Sequence, residues 1–151
     1  MNRAVAGLAG SPLADHRLAR LLAPRSIALV GASPKADSVG NGMIRGLRGG
    51  GFTGRVYAIN PNYREIEGIA CYPSLADLPE RVDHALLGVA NARLEAAVQA
   101  AVAAGIPAAT ILASGYLEGD GTPPLTRRIA DLARGAGLQI CGGNGMGFYN
   151  N

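Results

Sequence analysis

Short runs of apolar residues recur along the chain, each followed by glycine, serine, asparagine or proline. Within each run the apolar residues are continuous rather than alternating. This pattern predicts strands covered on both faces, as in a parallel sheet wrapped by helices. A weaker signal predicts a minor strand at 71–72 and one helical turn at 76–78. The main predicted strands are 26–30, 55–59, 85–89, 109–113 and 138–141.

Helical spacing of apolar residues fills the gaps between these strands. Val39, Met43 and Leu47, for example, stand at four-residue steps after Ser38, a residue type that caps helices. The alternation predicts an α/β fold with a doubly wound, mainly parallel, five-stranded Rossmann-like sheet and helices on both faces. Residues 1–12 show little pattern and are expected to form a flexible tail before a folded domain over 13–151. The predicted helices lie before Pro24, from Ser38 to 49–51, from Asn91 as the cap to Gly105, and onward from Thr122-Pro123.

Composition narrows the class of protein. A chain of 151 residues with 48% hydrophobic and 17% charged residues predicts one globular domain. The longest apolar runs are strand-sized, so no membrane span is predicted. Cys71 and Cys141 are too few and too far apart for a disulfide framework or a zinc site, which fits the reducing cytoplasm. A net charge of +3 with 5% aromatic residues favours an anionic small molecule over nucleic acid.

The loop after the first predicted strand carries the strongest chemical signal. A strand, a loop of small residues at 31–33 and a helix opening at 38–40 together form an anion site, because backbone N–H groups and the helix dipole favour a phosphate. Ser33 stands where the dinucleotide fingerprint has its second glycine, and Lys35 follows. The loop therefore predicts a phosphate cradle rather than an NAD site. A valine at Gly31 is expected to obstruct the phosphate while leaving the fold largely intact.

The end of the second predicted strand points in the same direction. Ligands of doubly wound sheets lie beyond the carboxyl ends of the strands, and NAD sites usually have an acidic residue at this second end. Here the chain has Asn60 and Pro61, with Arg64 nearby. A neutral-to-basic site suits a phosphorylated ribose, as in NADP or coenzyme A, because a carboxylate would repel the phosphate. The five loops expected at this edge are 31–41, 60–64, 89–91, 113–121 and 142–147.

Several segments also carry a family resemblance that covers about residues 20–151 in order. Residues 24–33 and 38–41 resemble the opening of the coenzyme A (CoA)-binding domain of NDP-forming acyl-CoA synthetases, the relatives of the succinyl-CoA ligase alpha subunit. Residues 58–66 resemble the family's Val-Asn-Pro-Lys segment, and 68–79 its Gly-x-x-Cys-Tyr-Pro-Ser-Leu-x-Asp-Leu-Pro continuation. Residues 111–118 are similar to its Ser-x-Gly-Phe-x-Glu loop, and 142–150 to its Gly-Pro-Asn-Cys-Leu-Gly-x-x-Asn motif.

The resemblance implies a site for CoA or acyl-CoA along the five loops. It implies a phosphate cradle in the first loop, the adenosine end at the second, a ligand channel at the third, and the pantetheine arm at the last two. Three residues depart from the family pattern: Asn62 replaces a lysine, Gly143 a proline and Gly145 a cysteine. The loop chemistry and the resemblance together predict these cofactor-binding residues: Gly31, Ala32, Ser33, Lys35, Ser38, Val39, Gly40, Asn60, Pro61, Arg64, Val89, Ala90, Ser114, Gly115 and Asn144.

No catalytic residue is predicted in this chain. The resemblance implies catalysis through a phosphohistidine in a later domain, with an ATP-grasp partner, so these domains of a parent ligase are the expected partners. His16 and His84 are expected to be structural or surface residues, and Cys141 a buried strand residue. Two alternatives to a non-catalytic ligase domain stay open: a free-standing CoA-binding regulatory protein, and an NADP-dependent reductase.

Overall fold

The computed structural model describes residues 16–145. The predicted tail at 1–12, the start of the first predicted helix and the end of the last motif lie outside this range. In chain order the elements are α1 Ala19–Leu22, β1 Ser26–Val30, α2 Val39–Gly49, β2 Arg55–Ile59, β3 Glu65–Ile66, β4 Ile69–Tyr72, a 3₁₀ helix Leu75–Asp77, β5 His84–Leu87, α3 Asn91–Ala103, β6 Ala108–Ile111, α4 Leu125–Ala136 and β7 Gln139–Cys141.

The strands form one sheet in the order β3-β4-β2-β1-β5-β6-β7. The central strand β1 pairs in parallel with β2 on one side and with β5 on the other, so that Ala28 lies between Tyr57 and Ala85. From β1 the chain first winds outward through β2, then crosses back and winds outward again through β5, β6 and β7. This reversal between β1 and β5 confirms the doubly wound, mainly parallel fold.

The predicted number of five strands is wrong, because a hairpin extends the sheet to seven. Strand β4 lengthens the minor strand predicted at 71–72 and runs parallel to β2, while β3 is antiparallel to β4. Two-residue β3 is too short for any hydrophobic period to appear in the sequence. Contacts of Glu67 at the hairpin turn fix it instead: its carboxylate accepts hydrogen bonds from Asn41 Nδ2 at 2.6 Å and Arg48 Nη1 at 2.8 Å, both on α2.

The core lies on both faces of the sheet, as the continuous apolar runs predict. On β1, Ile27 and Leu29 pack with Ile44 of α2. Ala28, between them, belongs to the core cluster of the opposite face, which also includes Leu94 of α3 and Ile129 of α4. Alternate residues of a strand point to opposite faces, so a strand that is buried on both must be apolar throughout.

The helix starts differ in part from prediction. Ser38 caps α2, since its hydroxyl accepts the Asn41 N–H at 3.1 Å. Asn91 does not cap α3, whose N-cap is Ala90. The start predicted at Thr122-Pro123 is also wrong: α4 begins at Leu125, whose N–H donates to the Asp120 carboxylate. Within residues 16–145, no helix has the length and apolar character needed to cross a bilayer.

Candidate functional site

Five loops gather at the carboxyl edge of the sheet. Because β1, β2, β5, β6 and β7 are parallel, the segments that follow them emerge on the same side. This confirms the predicted edge for the described parts of all five loops. The reversal of winding places the loops after β1 and β5 next to each other, which is where doubly wound sheets usually have their ligand crevice.

The loop between β1 and α2 is closed by its own serines. Ser33 Oγ accepts the Lys35 N–H at 3.1 Å, and Ser38 Oγ donates to the Lys35 carbonyl at 2.7 Å. Among the described residues, the N–H groups of Val39 and Gly40 have no acceptor. These two amides open the 11-residue helix α2, where the helix dipole is positive. The arrangement suits an oxyanion, and the serine hydroxyls shape the loop.

Gly31 in this loop and Gly40 in the first turn of α2 have no room for a side chain. A Cβ atom at Gly31 would lie 2.5 Å from the Gly88 carbonyl oxygen, and one at Gly40 only 2.2 Å from the Gly31 carbonyl oxygen. Gly31 also has a φ of +87°, a backbone conformation that residues with a side chain rarely adopt. The expectation that valine at Gly31 leaves the fold largely intact is therefore wrong, since the chain itself fills the space.

Asn60 links the loops that follow β1 and β2. Its Nδ2 donates to the buried Ala32 carbonyl at 2.9 Å, and its Oδ1 accepts the Asn62 N–H at 2.9 Å. Both ends of the amide therefore serve to brace the two loops. Pro61 and Arg64 are exposed beside it.

The basic side chains of these two loops are free for a ligand. Lys35 is exposed in the first loop and Arg64 in the second. Neither forms an ion pair with the acidic residues that the structure describes. Their charges can therefore be used by an anion at this edge.

A cavity of about 410 Å³ lies between the loops after β5 and β6 and the start of α2. Four of the predicted site residues line it: Val39, Val89, Ala90 and Ser114. The other four lining residues, which are not among the residues predicted to bind the cofactor, are Gly88, Asn91, Leu112 and Ala113. A second cavity of about 500 Å³ is lined by residues such as Val82 and Ile106 that precede β5 and β6, so it lies away from the loops.

Asn91 is the most informative of the residues that sequence reasoning missed. Its Oδ1 accepts the Gly115 N–H at 3.0 Å, and its Nδ2 donates to Ser114 Oγ at 3.1 Å. The sequence does contain a signal, an asparagine directly after a strand end, but that pattern also fits a helix cap.

The loop after β7 joins the same group. The Asn144 N–H donates to the Ala113 carbonyl at 2.6 Å, which brings predicted residues Ser114, Gly115 and Asn144 to one corner of the edge. Gly143 departs from the family's proline, and a Cβ there would lie 2.8 Å from the Ser114 carbonyl oxygen.

The titratable groups of the core lie outside this edge or are held neutral. His84, at the start of β5, is 4% exposed, and its Nε2 lies 2.9 Å from Thr110 Oγ1. Burial lowers the pKa of His84 to about 4, so the ring is neutral near pH 7, and it lies in the core, one of the two positions expected for it. Burial raises the pKa of the Cys71 thiol. Cys141 is half-buried at the end of β7 rather than buried as predicted. Residues 16–145 contain no group of three His, Cys, Asp or Glu side chains that could hold a metal.

A doubly wound sheet with an open helix N-terminus at its reversal point defines a class of Rossmann-like domains that place ligands at the carboxyl edge. Within that class, a match to a family model identifies the family of this chain. Residues 25–151 match the model of the CoA binding domain family, and the chain belongs to that family. The resemblance deduced from the loop motifs is thereby confirmed.

The sequence is similar to part of a larger ligase. The chain is 37% identical over 132 residues to acetate–CoA ligase [ADP-forming] I of Archaeoglobus fulgidus, a match that covers 87% of this chain and 19% of the relative. It thus spans about a fifth of that ligase.

Solved structures give two kinds of neighbour. Acetyl-coenzyme A synthetase 1 of Candidatus Korarchaeum cryptofilum, solved with phosphate and ADP, aligns with a TM-score of 0.77 at 34% identity, over 84% of this chain and 27% of that one. A hypothetical protein from Pyrococcus horikoshii aligns with a TM-score of 0.68 at 29% identity, over 97% of this chain and 94% of that one.

Proposed function

We propose that this chain binds CoA along the carboxyl edge of its sheet and serves as the CoA-binding domain of an ADP-forming acyl-CoA ligase. The observation that carries the proposal is the family match over residues 25–151. The edge has the chemistry that CoA requires: free amides at Val39 and Gly40 suit phosphates, and a mostly apolar cavity suits the pantetheine arm.

Each loop has a proposed part in binding. The phosphates would lie against residues of the loop after β1 and of the first turn of α2: Gly31, Ala32, Ser33, Lys35, Ser38, Val39 and Gly40. Asn60, Pro61 and Arg64 would border the adenosine end, with Arg64 supplying positive charge. Val89 and Ala90 would line the channel for the arm. Ser114, Gly115 and Asn144 would hold its far end.

The proposed partners are an ATP-grasp domain and a phosphohistidine-bearing domain of a parent ligase. The ADP-forming ligase of A. fulgidus supports this, because the match covers only 19% of it. The chemistry of ligation would come from the domains beyond that match. Two free cysteines, Cys71 and Cys141, fit a reducing compartment, and we propose the cytoplasm.

A free-standing CoA-binding protein is the second candidate. The P. horikoshii chain favours it, because this chain covers 94% of that protein. The gene sequence on either side of the region that encodes residues 1–151 distinguishes the two, since a ligase would continue into the ATP-grasp and phosphohistidine domains.

Calorimetric titration tests CoA binding directly. We expect CoA to bind and NAD and NADPH to give little heat. Lys35→Ala and Arg64→Ala should each weaken CoA binding, more strongly at low salt, because each removes a positive charge that would face a phosphate group of CoA. Arg45→Ala is the matched control, since it removes an exposed positive charge from α2. Tight binding of NAD or NADPH without binding of CoA would contradict the proposal and favour a reductase.

A further inference from the structure

We propose that Asn91 is a ligand-positioning residue: it clamps the loop after β6 so that the Ser114 hydroxyl donates a hydrogen bond to a carbonyl oxygen on the ligand's arm. The inference rests on the proposed CoA function and adds a residue and a hydrogen-bond direction to it. Its basis is the set of hydrogen bonds around Ser114 and the lining of the 410 Å³ cavity.

The orientation of the Asn91 amide is fixed by its neighbour. The Gly115 N–H can only donate, so the atom 3.0 Å from it must be the amide oxygen. Gly115 is buried, and an unpaired N–H there would be costly. The amide nitrogen of Asn91 therefore faces Ser114 Oγ, 3.1 Å away, and donates to it.

The Ser114 hydroxyl then has one hydrogen-bonding capacity left. Its oxygen accepts from Asn91 Nδ2 and also from the Tyr116 N–H at 3.2 Å. A hydroxyl oxygen has two acceptor sites and one hydrogen, so both acceptor sites are filled. Ser114 can therefore act toward a ligand only as a donor.

The cavity offers little else that is polar. Ser114 and Asn91 are the two residues with polar side chains among those that line it; the others are Val39, Gly88, Val89, Ala90, Leu112 and Ala113. A directed donor on an apolar wall selects a ligand segment that is mostly apolar and carries a carbonyl. The pantetheine arm contains amide carbonyls, and an acyl-CoA adds a thioester carbonyl.

Calorimetry on the 151-residue chain tests the clamp with three ligands. These are CoA, acetyl-CoA and adenosine 3′,5′-bisphosphate, which lacks the arm. The variants are Asn91→Ala, Ser114→Ala and the double variant. Gln99→Ala is the matched control, because it shortens an exposed amide on the same helix. Thermal unfolding reports whether each variant is folded, and the exposed Ser114→Ala provides a variant with little structural cost.

Each single variant should weaken arm-dependent binding by about fivefold to tenfold, as expected for one hydrogen bond. The double variant should lose little more than either single variant, because both remove the same bond. Affinity for the bisphosphate should not change. Equal losses for CoA and acetyl-CoA identify an amide carbonyl as the acceptor, and a loss confined to acetyl-CoA identifies the thioester carbonyl.

Three results would overturn the clamp while leaving the CoA function intact: unchanged affinity for both arm-bearing ligands, an equal loss for the bisphosphate, or additive losses in the double variant. A wild-type chain that binds neither CoA nor acetyl-CoA would overturn the proposed function, and the clamp with it.

Discussion

Gly40 and Gly42 stand two positions apart near the start of α2, yet their surroundings differ sharply. A Cβ at Gly40 would lie 2.2 Å from the Gly31 carbonyl oxygen and 2.7 Å from the Ser33 nitrogen, both backbone atoms. A Cβ at Gly42 would have no neighbour within 4 Å. Of these two glycines, therefore, Gly40 is the one that packs against the loop after β1.

This contrast predicts opposite effects of one substitution. Gly40→Ala should lower the free energy of unfolding by about 3 kcal/mol, because the backbone of the loop must move. Gly42→Ala should raise it by roughly 0.5–1 kcal/mol, since alanine is the better helix former and space is available. Urea unfolding of both variants measures the difference. Equal effects would mean that α2 and the β1 loop are not in close contact.

The role of Asn91 differs from the one that its position in the sequence predicts. An asparagine at the start of a helix predicts a cap, and nothing nearby in the sequence contradicts that interpretation. Its hydrogen bonds instead reach Ser114 and Gly115, more than twenty residues away. Local sequence cannot reveal such a partner, because only the pairing of β5 with β6 brings the two loops together.

At the level of elements, β5 and β6 share a buried polar pair. The His84 ring on β5 lies 2.9 Å from the Thr110 hydroxyl on β6, and the other residues of these two strands are apolar. Burial depresses the pKa of His84 from 6.5 to about 4, so between these values the unfolded chain binds the proton more readily than the folded chain. Stability from this group is complete above pH 6.5 and is lost as the pH falls toward 4.

This difference in proton binding predicts that the free energy of unfolding falls by up to about 3 kcal/mol between pH 6.5 and pH 4. Denaturant unfolding from pH 7 to pH 4.5 measures it. His84→Gln should flatten the pH dependence, because glutamine does not titrate, whereas His16→Gln at an exposed site should retain it. If His84→Gln kept the full wild-type slope, other groups would be responsible.

The helices and strands also differ in how well the sequence predicts them. The five main strands appear in the sequence as continuous apolar runs, since burial on both faces leaves a strong signal. The hairpin of β3 and β4 leaves little, because it is short and lies at the sheet edge. Contacts from Glu67 to Asn41 and Arg48 hold it, and these become visible only when α2 lies beside the turn.

At the level of the whole molecule, CoA binding and ligation are expected to be separable. Phosphoryl transfer needs a nucleotide site with a lysine and metal-binding carboxylates around the phosphates. The sequence contains no Gly-x-x-x-x-Gly-Lys-Ser/Thr run. His84 is buried at the opposite end of β5 from the loops.

The purified 151-residue chain should therefore form no acetyl-CoA from acetate, CoA and ATP. A coupled assay for acetyl-CoA measures this, with a complete ADP-forming ligase as the positive control. Adding the ATP-grasp and phosphohistidine-bearing domains of a parent ligase should give turnover. Nucleotide-dependent formation of acetyl-CoA by the chain alone, abolished in His84→Gln, would refute the prediction.

The amino-acid sequence alone was enough to predict the fold class, the edge of the sheet that carries the loops, and the family. Continuous apolar runs specify buried parallel strands, and parallel strands place their carboxyl ends on one side. Three features became visible only in the folded structure. These are the hairpin that extends the sheet to seven strands, the close backbone contacts that leave no room for a side chain at Gly31 and Gly40, and the hydrogen-bond partners of Asn60 and Asn91. The physical reason is the separation along the chain of the residues that interact. Burial patterns repeat every few residues, whereas close packing and hydrogen bonds between loops join residues that only the folded sheet makes neighbours.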